Sequence, residues 1–292
     1  MCWKSIFNKE PKMARAKGID VSKYQVSFNP ALATVPIDFV IQRASWAGYQ
    51  DELFVGLFQG GVSKIEDRGA YHYYSSGVPW QQQADLFLSI IMGRNFKYLA
   101  VDYEEGYNNL NDRTAHECRL IIDYLREKRP SAKIGLYCGA FTYRDLLLPY
   151  EDFSDVDFWI ARYPNTVDPQ VDDPDMEDAR EDWDFWQYSK EGDGKSHGVG
   201  STFVDLNVFN GTVEELKEYL KNEVIVPLPD PPVVPDPPAN CTEAVTLAVA
   251  EVSLRYETQI ENLKITHAAD LAEAIIVGNN TALENLIKPY LL

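Results

Sequence analysis

Tyr98-Leu99-Ala100-Val101-Asp102-Tyr103-Glu104 reads as a buried strand that runs into two acids. Residues two apart on a strand share a face, so Asp102 and Glu104 project together, about 6.6 Å apart along the chain. Paired carboxylates at such a separation suit work on a glycosidic bond. A charged pair is costly to bury for stability alone. In a cleft, repulsion and partial desolvation raise one pKa and give a proton donor near neutral pH. The competing reading is a solvated acidic strand end, because Glu105 and Gly106 follow at once.

Outward from this strand, similar runs recur at 18–24, 39–45, 69–75, 133–139, 157–163, 184–188 and 202–209. With helical stretches between many of them, they predict an α/β barrel of the TIM type. Helices are expected at 112–128, where Ala115, Cys118, Ile122 and Leu125 recur on one face, and at 212–221, where Thr212 and Glu215 form a capping box. The last three strands are separated by stretches of weak helical periodicity, so that half of the barrel is expected to be irregular.

Two more acids fall on strands. Asp20 lies in Gly18-Ile19-Asp20-Val21-Ser22-Lys23-Tyr24-Gln25, on the first strand, and Asp205 in Val204-Asp205-Leu206-Asn207-Val208-Phe209-Asn210-Gly211, on the last. First and last strands are neighbours in a closed barrel, so both acids reach the same mouth as Asp102 and Glu104. Aromatic and amide side chains accompany them: Tyr73 in Tyr71-His72-Tyr73-Tyr74, Tyr137, Trp159, and Trp186 with Gln187. Sugar rings pack on aromatic faces while their hydroxyls take hydrogen bonds, so these five residues are the candidate substrate-binding set. Singly, each has a plainer reading: a core aromatic, a loop cap, or an amide that satisfies the backbone. Their joint occurrence at strand ends favours catalysis.

Gly18-Ile19-Asp20-Val21-Ser22-x-Tyr24-Gln25, Tyr71-His72-Tyr73, Asp102-Tyr103-Glu104, Trp186-Gln187-Tyr188 and Asp205-Leu206-Asn207-x-Phe209-x-Gly211 occur in this order. In this the chain resembles glycoside hydrolase family 25, the Chalaropsis-type lysozymes, which include many phage endolysins; the likeness covers residues 17–220. The resemblance implies a flattened, irregular β/α barrel. It also implies muramidase activity on bacterial peptidoglycan, at the β-1,4 bond between N-acetylmuramic acid and N-acetylglucosamine. On that reading Glu104 donates a proton to the leaving oxygen and Asp102 polarises the substrate's 2-acetamido group, whose oxygen attacks the anomeric carbon with retention of configuration. Asp20 and Asp205 orient the pair and stabilise positive charge, and Tyr137 hydrogen-bonds the acetamido group. Direct attack by a carboxylate is the alternative. A chitinase-like hydrolase would place its acids as Asp-x-x-Asp-x-Asp-x-Glu, which the residues before Asp102 do not match.

The bulk properties narrow the partners. The formal net charge of −18 argues against nucleic acid and anionic membranes. Four scattered cysteines and four histidines make neither a disulfide framework nor a zinc site, and no cofactor is expected. The acidic stretch 168–184 carries nine acids but does not fit a calcium loop, so it is expected to be solvated. No apolar run is long enough to span a bilayer, and residues 1–16 read as an N-terminal arm without the apolar core of a signal peptide. A phage lysin of this kind would accumulate in the host cytoplasm before lysis.

Residues 17–222 form the expected catalytic barrel. Seven of the 17 prolines fall within 227–238, so 223–239 is expected to be an extended, semi-rigid linker. In 240–292, Val249, Val252, Tyr256, Ile260, Leu263, His267, Leu271, Ala274 and Gly278 mark one face of a long helix. A small all-α tail cannot bury that face alone. Self-association into a homo-oligomer is the favoured use, ahead of docking on the barrel or on a partner. A virion-associated structural or wall-binding protein that assembles through this tail is the non-enzymatic alternative.

Overall fold

The computed structural model describes residues 14–221 apart from 106–108, 165–167, 177 and 181. The expected linker and helical tail, and the oligomer they would support, lie outside the described residues. Nine strands form one sheet: β1 (Lys17–Val21), β2 (Phe39–Trp46), β3 (Tyr49–Gln50), β4 (Asp67–Tyr73), β5 (Tyr98–Asp102), β6 (Lys133–Gly139), β7 (Asp157–Ala161), β8 (Phe185–Asp193) and β9 (Phe203–Phe209). Pairing of β1 with both β2 and β9 closes eight of them into a barrel, with β3 appended to β2. The ladders are parallel from β1 through β2 and β4 to β8, whereas β9 is antiparallel to both its neighbours.

The helices are α1 (Phe54–Gly60), α2 (Trp80–Ile91), α3 (Asp112–Lys128), the single turn α4 (Ala140–Thr142) and α5 (Val213–Leu220). Asn111 and Thr114 form the capping box that starts α3, and Thr212 and Glu215 the one that starts α5. No helix separates β7 from β8 among the described residues, and β8 and β9 pair as neighbours in sequence; this is the irregular half. Among the described residues no helix is long and apolar enough to cross a membrane.

Alternation along the strands sorts side chains into two cores. Outside the barrel wall, residues such as Val40, Leu99, Val101, Leu136 and Trp186 pack under the helices. Inside, Phe39, Tyr98, Phe185 and Phe209 meet edge-on or tilted at 4.7–5.3 Å between ring centres. Leu216 and Leu220 of α5 complete this plug. Above it lie Tyr71, Trp159 and Tyr137, with Trp159 5.8 Å from Tyr71 and 4.6 Å from Tyr137.

The N-terminal boundary shifts from its expected place. Arg15 and Ala16 belong to the folded unit, not to an arm. The Arg15 guanidinium lies 4.7 Å from the Trp183 ring, donates to the Pro169 carbonyl at 3.0 Å and pairs with Asp173. The Ala16 amide donates to Gly211 O. One arginine thereby ties the start of the chain to the acidic 168–184 stretch, which is anchored here and not merely solvated.

Large rings fit inside the barrel because glycines face them. A Cβ on Gly135 would overlap the Tyr98 hydroxyl, and one on Gly18 would overlap the Phe39 ring. The Tyr98 hydroxyl is itself buried without a hydrogen-bond partner. Overpacking of this kind costs about 1–3 kcal/mol. Gly135→Ala is therefore expected to lower the unfolding free energy by that amount, and Tyr98→Phe in the same chain to recover part of it. Tyr98→Phe alone should be neutral or mildly stabilising, because it removes an unpaired buried group. Equal melting of Gly135→Ala and the parent protein would contradict this account of the interior.

Candidate active site

The mouth at the C-terminal ends of the parallel strands is where the interior turns polar. β5 ends at Asp102, and its alternation persists one step further. Tyr103 points outward, stacked on Tyr74 with its hydroxyl 2.7 Å from Thr114 Oγ1, while Asp102 and Glu104 face the cleft. Glu105 turns away and accepts from Ser75 Oγ and the Ser76 amide. Asp20 lies directly opposite Asp205 in the antiparallel β1–β9 ladder. Because β9 runs the other way, the beginning of that strand carries Asp205 to the mouth while its end carries Phe209 to the plug. All four predicted acids thus line one cleft of about 460 Å³.

A chain of hydrogen bonds fixes the orientation of Asp20. The Trp159 indole N–H, a donor only, donates to Asn207 Oδ1 at 2.8 Å. The Asn207 amide nitrogen must then face Asp20, and it donates to Oδ2 at 2.8 Å. On the other side, Tyr137 and Tyr163 both donate to Gln187 Oε1, at 2.9 and 2.5 Å, so Gln187 Nε2 donates to the same Asp20 oxygen at 2.8 Å. Asp102 has no such support. Its Oδ1 is buried and has no hydrogen-bond partner.

Four carboxyls in one cleft cannot all ionise cheaply. Burial pushes Asp20 up to about 6, against the hydrogen bonds from Asn207 and Gln187 and the charge of Arg43. Burial, with Asp20 and Glu104 nearby, pushes Asp205 up to about 8. Asp102 is raised well above its ordinary range by burial and then by Glu104 and Asp20. Glu104 is raised by desolvation and by Asp20, partly offset by the neighbouring Tyr137 hydroxyl and the charge of Arg43. At neutral pH the cluster therefore holds protons that isolated carboxylates would have lost.

The predicted binding residues divide. Tyr73, Tyr137, Trp159 and Gln187 line the cleft. Trp159 is its floor: the ring is fully buried and held between Tyr71 and Tyr137. Trp186 is not in the cleft. Neighbours on a strand face opposite ways, so Phe185 and Gln187 point inward while Trp186 packs in the outer core and donates its indole N–H to Arg162 O at 2.7 Å. Arg43, Tyr163 and Lys190 also line the cleft and were not anticipated. Alternation from Ile41 would have placed Arg43 inward. Arg43 is held by Asp51 at 2.7 Å and opposes the shifts of Asp20, Asp102 and Glu104. No group of three or more His, Cys, Asp or Glu suited to a metal occurs among the described residues.

The raised Asp205 carries a stability consequence. Its folded pKa lies above its unfolded value, so its contribution is fully present below about pH 4 and is lost as pH rises through about 8. Asp205→Asn is expected to raise stability at pH 8 by up to about 5 kcal/mol, a gain that shrinks toward zero near pH 4. Thermal melts across that range provide the check, and a difference independent of pH would refute the charge assignment.

Comparison with known proteins agrees with this geometry. An uncharacterized protein, YegX, of Escherichia coli O6:H1 is 35% identical over 158 residues, 52% of this chain and 52% of that protein. The chain thus spans about half the length of the curated relatives it matches. The catalytic domain of endolysin ply40 from bacteriophage P40 of Listeria monocytogenes superposes with a TM-score of 0.54 at 23% identity, over 73% of this chain and 100% of that one. A muramidase from Acremonium alcalophilum superposes with a TM-score of 0.55 at 21% identity, over 71% of this chain and 99% of that one. These two structures share the fold. The sequence matches the family Glycosyl hydrolases family 25 over residues 19–197, and on that match the chain belongs to glycosyl hydrolases family 25.

Proposed function

We propose that this protein is a peptidoglycan-degrading lysozyme, an N-acetylmuramidase. It would hydrolyse the β-1,4 bond between N-acetylmuramic acid and N-acetylglucosamine, with retention through the substrate's own 2-acetamido group. The observation that carries the reading is the buried, unpartnered Asp102 Oδ1 beside a protonatable Glu104. A buried acceptor without a partner is costly, and an acetamido N–H is a donor of the right kind. The similarity to a phage endolysin and to a muramidase supports the same substrate class. The endolysin likeness also favours a phage lysin held in the host cytoplasm before lysis and acting on the cell wall.

In the first step Glu104 gives its proton to the glycosidic oxygen as the bond to the anomeric carbon breaks. The acetamido oxygen attacks that carbon from the opposite face, forming an oxazolinium ion and releasing the leaving sugar. Asp102 accepts the acetamido N–H and stabilises the positive charge. In the second step the Glu104 carboxylate takes a proton from water, and the oxygen attacks the same carbon and opens the ring. Asp20 and Asp205 face the developing charge. A cluster that resists ionisation when the sugar is neutral gains most from a cation, so its interaction is strongest in the transition state.

Glu104→Gln is expected to lower kcat on purified walls by about 10²–10⁴ with the melting temperature kept. Asp102→Asn should lose about 10² or more. Turbidity loss, with identification of the new reducing ends, separates a muramidase from a wall-binding protein. Near-normal turnover of Glu104→Gln removes the donor assignment. Cleavage of a glycan lacking the 2-acetamido group would show that a carboxylate attacks directly.

A further inference from the structure

Resting on the muramidase reading, we infer that Lys190 is a specificity-determining residue, selecting glycan strands whose sugars carry carboxylates over neutral ones. Its position comes from a break in the β8–β9 ladder. Gln187 pairs with Asn207, but Ser189 already pairs with Leu206, so two steps on β8 match one on β9. Asn207 faces inward and Leu206 outward. Ser189 therefore follows Leu206 outward, and Lys190 comes in over the cleft on the side of Asp205. Without the bulge, alternation from Gln187 would have sent Lys190 out. Bulges commonly re-aim side chains beside active sites.

The charge balance gives the residue its work. Three cations line the cleft. Arg43 is paired with Asp51 at 2.7 Å and Lys23 with Glu52 at 3.2 Å, carboxylates that do not line it. Lys190 has no ion pair among the described residues. Its ammonium lies 5.7 Å from the Tyr163 ring centre, and it is exposed. It is thus the cleft cation available to an incoming anion. The acids of the mouth that are ionised would repel a carboxylate on the glycan, and Lys190 offsets that field locally. On peptidoglycan stripped of its peptides, the anion is the lactyl carboxylate of each muramic acid.

The test compares two forms of one peptide-stripped glycan strand, one with its lactyl carboxylates free and one with them converted to methylamides. The readout is the ratio of kcat/KM for the anionic over the amidated strand. In the full chain carrying Lys190→Met this ratio is expected to fall about tenfold through KM, and in Lys190→Arg to stay near that of the parent. Raising ionic strength should shrink the preference of the parent. An unchanged ratio in Lys190→Met overturns the inference, including a variant that shifts only the pH profile through Asp205. Failure of the parent protein to cut either strand would instead overturn the muramidase reading.

Discussion

Asp20 facing Asp205 across the β1–β9 ladder is the constraint on which the site rests. Like charges placed directly opposite destabilise a sheet, yet this ladder is one of the pairings that close the barrel. The conflict is resolved by protonation and by direction. Asp20 is fixed as an acceptor between Asn207 and Gln187, and Asp205 is left to hold a proton up to about pH 8. The reversed β9 makes the arrangement possible, delivering an acid to the mouth and an aromatic ring to the plug from one strand.

Stability and chemistry are accordingly segregated along the barrel axis. The lower half is a buried aromatic plug sealed by α5, with Gly18 and Gly135 making room for the rings. The middle layer of Tyr71, Trp159 and Tyr137 serves both halves. Its rings pack against one another, while the Trp159 N–H and the Tyr137 hydroxyl begin the hydrogen bonds that orient Asp20. Trp159 thus reaches the cleft through Asn207 and Asp20 and presents no open ring face to it.

Much of this was legible in the sequence because strand alternation is strict. The run 98–104 placed Asp102 and Glu104 on one face, and barrel closure placed Asp20 beside Asp205 without any knowledge of strand direction. Period-two reasoning failed where it was not applied or where the ladder breaks. Trp186 was grouped with Gln187 although neighbours on a strand must face opposite ways. Arg43 was within reach of the same rule, since Ile41 is an interior residue two positions earlier. Lys190 was not, because a bulge leaves no reliable mark in an isolated sequence. Arg15 was hidden for another reason: its partners lie more than 150 residues away, in a stretch whose acidity suggested only solvation.

On the proposed function, a protein of net charge −18 acts on an anionic polymer. Long-range steering opposes the encounter, so binding must come from contacts inside the cleft, where the potential is set by a few named groups. Arg43 holds down the carboxyl pKa values from the β2 side, and Asp51 fixes it in place. Lys190 faces Asp205 from the β8 side. With one cation anchored and the other exposed, the first belongs to the resting balance of the acids and the second can exchange its weak contacts for a carboxylate. On the proposed reading, a site built this way keeps its proton inventory for the sugar linkage and leaves the reading of substituents to its rim.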